Sequence, residues 1–322
     1  IRIGFMKDDK IYDQTTIFEK DFKKKINFTN ISDINLKSNH HFNILTIGDS
    51  FSEQRNFGYQ NYITDDNNTV LHMDRFLHDN PIETLHSILN GNLLNTIKVD
   101  YIILESVQRD CIKRVIPLDT TKTITANSLQ KLIDKYNAKK PMTEESSEAP
   151  FYSSTIFKLP LYHIYYQFDD NAFFSKTYQV KTKTNLFSAN NNKLLFLADD
   201  VKSTKQYNTK EVIQILNTEL NKLSKKCKDK GIQLIVLACP DKLDAYYDQI
   251  IDKSKYLKPM FFTYLDKEKK DYLCVDSKKI ITNGIKAKKD IYFYDDSHWS
   301  PIASKLIAEE INRIIKNSKH AF

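Results

Sequence analysis

The chain has 322 residues, 41% of them hydrophobic and 28% charged, with a net charge of +7 and a pI near 8.9. This is the make-up of a soluble globular protein with a self-sufficient core, not of a disordered, collagenous or disulfide-stapled chain. No apolar run reaches the length of a membrane span, and the basic residues are scattered among acids, so neither a spanning segment nor a nucleic-acid-binding stripe is expected.

Residues 1–42 are mixed and polar and are read as an N-terminal extension, with an amphipathic stretch from Ile17 to Phe28. A regular rhythm then begins. "NILTIG" (43–48) reads as a buried strand and "NTVLHMD" (68–74) as a second. A helix follows from Pro81, with Ile82, Leu85, Ile88 and Leu89 on one face and Gly91 placed to end it. "VDYIILES" (99–106) is a third strand. From about 112 to 205 the rhythm breaks into an inserted α+β segment. It holds the polar "KKPMTEESSEAP", the aromatic-rich "FYSSTIFKLPLYHIYYQF" and two strands around "SANNN".

The rhythm resumes with a helix from Thr209, whose face is Val212, Ile213, Leu216, Leu220, Leu223 and Cys227, closed by Gly231. "IQLIVLACP" (232–240) is a fully buried strand and "DYLCVDS" a shorter one. Ser300 and Pro301 open a final helix as N-cap and first helical residue. Alternating buried strands and helices specify an α/β fold, a doubly wound parallel sheet in which ligands sit beyond the carboxyl ends of the strands. The expected domain is 43–322, interrupted at about 112–205.

Two segments carry chemistry. Gly48-Asp49-Ser50 ends the first strand, where a serine hydroxyl stands at the mouth of the sheet and backbone N–H groups face a developing oxyanion. "FYDDSHWSPI" places Asp295, Asp296 and His298 just before the last helix. A carboxylate two or three residues before a histidine can hold one ring N–H and leave the other nitrogen to take a serine proton. Ser52 is the fallback nucleophile. The histidines at 72, 78 and 86 lack the acidic or cysteine company of a metal site, and His163 reads as structural. No phosphate loop or dinucleotide fingerprint is present, so no metal and no cofactor is expected. The four cysteines form no C-x-x-C pair. The aromatic-rich run reads as subdomain core, with a sugar-stacking face as its functional alternative.

"IGDSFS" together with "DDSHWSPIASKLIAEEI" resembles the SGNH (GDSL-type) hydrolase superfamily, and within it the alginate O-acetylation and DHHW-motif proteins. The resemblance covers about 43–110 and 207–318. It implies a flavodoxin-like SGNH fold, Ser50 as nucleophile, His298 as base, and Asp296 rather than Asp295 as the acid that orients it. Asp49 is then part of the turn. The superfamily's glycine after the second strand and asparagine after the third are absent. "ESVQR" (105–109) stands in the latter place, which makes Arg109 or Gln108 candidates for the second oxyanion donor. The other reading of Arg109 is an ion pair with Glu105. The resemblance further implies O-acetyl transfer to a cell-envelope polysaccharide, in an extracytoplasmic setting, beside a membrane-bound O-acyltransferase that supplies the acyl group. The alternatives are a polysaccharide O-acetylesterase using the same triad and a non-catalytic SGNH-like binding module. The first residue is Ile1 rather than methionine, which is compatible with a signal peptide or anchor upstream.

Overall fold

The computed structural model describes residues 18, 22, 24–116, 118–138, 161, 162, 164–188 and 192–319. Residues 17, 19–21 and 23 of the amphipathic stretch, the polar segment 139–150, His163 and the first part of the aromatic-rich run lie outside the described residues.

Eight strands are described: β1 Thr29–Asn30, β2 His40–Ile47, β3 Val70–Met73, β4 Ile97–Val107, β5 Thr177–Lys181, β6 Lys193–Leu197, β7 Gln233–Cys239 and β8 Leu273–Cys274. Among the described residues, the helices longer than two turns are α1 Pro81–Asn90, α2 Gln108–Val115, α3 Ala126–Asn137, α4 Ala198–Tyr207, α5 Lys210–Lys228, α6 Ser277–Ala287 and α7 Pro301–Lys319. Six strands form one parallel sheet in the order β1-β3-β2-β4-β7-β8. Without β1, this is the flavodoxin-like order 2-1-3-4-5.

Side chains alternate across the sheet, as the pleat requires. Ile44, Tyr101, Ile103, Ile235 and Leu237 join one apolar cluster with Ile281 of α6 and Ile307, Ile311 and Ile315 of α7. Leu45, Ile47, Ile102, Leu104, Leu234 and Val236 join another with Leu85 and Ile88 of α1 and Leu216, Leu220 and Leu223 of α5. Burial on both faces explains why the central strands read as unbroken apolar runs.

The helix ends follow local chemistry. Asn80 caps α1 by accepting from the N–H groups of Ile82 and Glu83. Thr209 caps α5, and Gly231 closes it at φ +74°, where a side chain would be strained. Gly91 also follows its helix, as expected, but not in the left-handed region: its φ is −88°. A Cβ there would lie 1.8 Å from the Ile124 carbonyl oxygen, so close backbone approach demands the glycine.

The sheet extends into the segment read as an N-terminal extension, because Thr29–Asn30 pairs with β3 and β2 begins at His40. The inserted segment carries the antiparallel β5–β6 hairpin. Its Phe187, Leu194 and Phe196 enter the same apolar cluster as α7, and Leu129 and Ile133 of α3 enter the other. The hairpin and α3 are thus packed into the body of the domain, whereas Leu161, Ile164, Tyr165 and Phe168 of the aromatic-rich run are exposed and do not form the core expected of them.

Candidate active site

In the 2-1-3-4-5 order the crevice lies where the connections diverge, at the carboxyl ends of β2 and β4. Ser50 sits there, opening a 3₁₀ turn over Ser50–Ser52 directly after β2. Asp49 caps that turn by accepting from Phe51 N–H at 3.1 Å. Its other oxygen accepts from Val107 N–H at 2.9 Å and from the Arg114 guanidinium at 2.6 Å. Asp49 therefore ties the turn to the end of β4. Burial works to raise its carboxyl, but Arg114 and the two N–H groups outweigh it and hold the group below the usual range.

Beneath the turn lies Glu105, fully buried. It accepts from Asp49 N–H at 2.8 Å, from Ser52 Oγ at 2.9 Å and from the Cys239 thiol at 3.2 Å. Burial first, and the neighbouring Asp49 second, push its carboxyl well above the ordinary range. Gly48 makes this arrangement sterically feasible. A Cβ at 48 would meet Ser52 Oγ at 2.2 Å and Glu105 Oε2 at 2.5 Å.

The opposing wall is the loop before α7. Residues 291–300 fold back on themselves: Phe293 N–H donates to the His298 carbonyl at 3.2 Å and Ser300 N–H to the Ile291 carbonyl at 2.9 Å. Ser300 then starts α7, its Oγ accepting from Ile302 N–H and its carbonyl from Ser304 N–H. This places His298 at the crevice, buried, with Nε2 2.7 Å from Ser50 Oγ and Nδ1 2.6 Å from Asp296 Oδ1. The same Asp296 oxygen accepts His298 N–H at 3.0 Å. Burial tends to raise the Asp296 carboxyl, but its bonds to His298 win and bring it to about 2.

Two further contacts fasten the halves. The Phe51 ring packs against the His298 imidazole, centroids 4.8 Å apart, and edge-on to buried Trp299 at 5.0 Å. Gln54 donates to the Trp299 carbonyl at 2.8 Å.

Three expectations from the sequence are corrected. Arg109 pairs with Asp241 and Asp200 rather than with Glu105. Its Nη1 lies 2.9 Å from Asp241 and 3.4 Å from Asp200, all three buried. Gln108 accepts from Asp241 N–H at 3.0 Å. Both residues thus anchor the turn after β7, and neither is a free oxyanion donor. Ser52 is fully buried between Glu105 and the Tyr59 hydroxyl, 3.0 Å away, so it has no path to a substrate.

Sequence reading missed Arg114 and Lys242, and took Glu105 only as a partner for Arg109. Lys242 is fully buried and donates to the carbonyls of Phe293, Tyr294 and Asp296 at 2.6, 2.7 and 3.0 Å. The one signal for it is position, just past the carboxyl end of "IQLIVLACP".

A doubly wound sheet with a serine on the turn after its first long strand, and an Asp-x-His on the loop before its last helix, is consistent with an SGNH-like domain. Residues 191–322 match the family model of the SGNH hydrolase-like domain of acetyltransferase AlgX, so this segment is similar to that acetyltransferase domain. The matched segment holds Lys242, Asp296 and His298; Ser50 lies before it. No curated protein and no solved structure gives a significant match to the chain.

Proposed function

We propose that the chain is a serine-dependent O-acetyltransferase acting on a polysaccharide through an acyl-enzyme on Ser50. The observation that carries this reading is the continuous relay from Asp296 through His298 to Ser50, with heavy-atom separations of 2.6 and 2.7 Å. Both lie within the reach required for proton transfer.

In this mechanism Ser50 Oγ attacks the acyl carbonyl and its proton passes to His298 Nε2. Asp296 holds Nδ1–H and stabilises the imidazolium that forms. The first oxyanion donor is the Ser50 N–H, at the open start of its 3₁₀ turn, where backbone donors have no intrahelical acceptor. The tetrahedral intermediate collapses as Nε2 gives the proton to the leaving group. A sugar hydroxyl then attacks the acyl-enzyme, its proton goes to Nε2, and Ser50 leaves with that proton restored. The support for acetyl as the acyl group is the match to an acetyltransferase domain. By the same family reasoning the acceptor is a cell-envelope polysaccharide, the setting is extracytoplasmic, and a membrane-bound O-acyltransferase supplies the acyl group. Among the described residues no helix is long and apolar enough to cross a membrane.

The test compares parent and Ser50→Ala on p-nitrophenyl acetate. It then follows a polysaccharide acceptor by mass spectrometry before and after incubation with the acyl donor. The reading expects slow ester turnover in the parent, none above background in the variant, and acetyl gained by the acceptor. Acetyl lost from a pre-acetylated acceptor, with no gain, would replace transfer by hydrolysis.

A further inference from the structure

We propose that Lys242 is a positioning residue for the Ser50–His298 pair, acting through the backbone of the loop that carries Asp296 and His298. The proposal rests on the reading of Ser50 as nucleophile.

The geometry is specific. Lys242 begins the short helix Lys242–Tyr246 after β7, and its side chain is entirely enclosed. Its Nζ makes three bonds, all to carbonyls of one stretch: Phe293, Tyr294 and Asp296. An ammonium has three N–H groups and no acceptor, so the three carbonyls use its full capacity. The last is the carbonyl of the residue whose side chain holds His298. Carbonyls of an irregular loop have no ladder to pair with, and a lysine reaching up from the sheet donates to three of them.

The stalk is braced in turn. Asp241, the preceding residue, is held by Arg109 through its side chain and by Gln108 through its N–H. The chain of contacts runs from α2 through Asp241 and Lys242 to the Asp296 carbonyl. Below the ammonium lies the Phe187 ring, 5.2 Å from Nζ to centroid. The charged groups that act on it are Asp296 and Asp295 from the loop and Asp200 from α4. Burial is the largest influence and lowers the lysine to about 7 despite those three carboxylates. Loss of a proton leaves two N–H groups for three carbonyls, and the loop loses one of its ties.

The experiment measures kcat and KM on p-nitrophenyl acetate from about pH 6 to about pH 9 for the full chain, Lys242→Met and Lys242→Arg, with Ser50→Ala alongside. Circular dichroism checks that each variant folds. The expected result for Lys242→Met is a fall in kcat of about 10²-fold with KM held, as for a misplacement remote from the chemistry. Lys242→Arg, which keeps charge and donors, recovers part of the loss. The parent's kcat declines above neutral pH with KM unchanged. A folded Lys242→Met with parental kcat overturns the proposal while an inactive Ser50→Ala leaves the nucleophile standing. Should Lys242→Met fail to fold, a folded Lys242→Gln, whose two N–H groups cannot serve all three carbonyls, with parental kcat overturns it instead. An active Ser50→Ala would refute the nucleophile itself, whatever Lys242 does.

Discussion

His298 reaches Ser50 across 248 residues of chain, with Nε2 2.7 Å from Oγ. The two come together because β2 and the start of α7 end at the same rim of one parallel sheet. The meeting is fastened at several points: Phe51 packs on His298 and Trp299, Gln54 donates to the Trp299 carbonyl, and α7 packs beneath through Ile307 and Ile311. The imidazole is thus fixed from the serine side as well as from Asp296.

Asp296→Asn retains the shape of the site but offers an amide to Nδ1 and disfavours the tautomer that presents a free Nε2. The expected loss is about 10⁴-fold in kcat. Asp295→Asn, which leaves the bonded carboxylate in place, is expected to stay within about tenfold of the parent. Steady-state kinetics of the two variants on one acetyl ester check both, and reversed magnitudes would move the orienting role to Asp295.

Stability should fall with acid through Asp296. Its folded value of about 2 lies below its ordinary value of 3.8. A depressed carboxyl contributes stability that is fully present above the ordinary value and is lost as pH falls from there through about 2. Urea unfolding at steps between about pH 5 and about pH 2 is expected to show this loss in the parent, and less of it in Asp296→Asn.

Ser52→Ala separates the two serines. The hydroxyl joins Glu105 to Tyr59 in a sealed pocket, and its removal leaves both partners short of a bond. About 1–3 kcal/mol of stability should be lost. The folded variant should keep its kcat, because Ser50 and His298 are untouched. A collapse of kcat at full stability would restore Ser52 as the nucleophile.

Arg109→Met should be a stability variant. It leaves Asp200 and Asp241 buried without their shared cation, and breaking such a group costs about 3–5 kcal/mol. Denaturant unfolding reads this directly. An oxyanion donor would behave in the opposite way, lowering kcat at unchanged stability.

Much of this architecture was legible in the residues. The runs at 43–48, 99–106 and 232–240 are apolar on both faces, as strands covered by helices on each side must be, and Ser300-Pro301 marks the start of α7. Strand β1 was not legible, since two residues carry no period. "DYLCVDS" shrinks to the two residues of β8 for want of a partner on its outer edge. Arg109 was misplaced because four-residue spacing makes neighbours only within a helix. Glu105 lies in β4 and Arg109 in α2, so their side chains diverge. Lys242 was hidden among 48 basic residues, because burial is not written in a side chain's identity. Ser50, Asp296 and His298 stood out because each sits at a sharp change from strand or loop to helix.

The most direct measurement is the site of covalent acylation. The protein is incubated with p-nitrophenyl acetate, quenched in acid, and its peptides mapped by tandem mass spectrometry. The account predicts an acetyl group on Ser50, lost in Ser50→Ala and strongly reduced in His298→Ala. Turnover of the ester with the acetyl group on another residue, or with no acyl-enzyme and an unaffected Ser50→Ala, would contradict it.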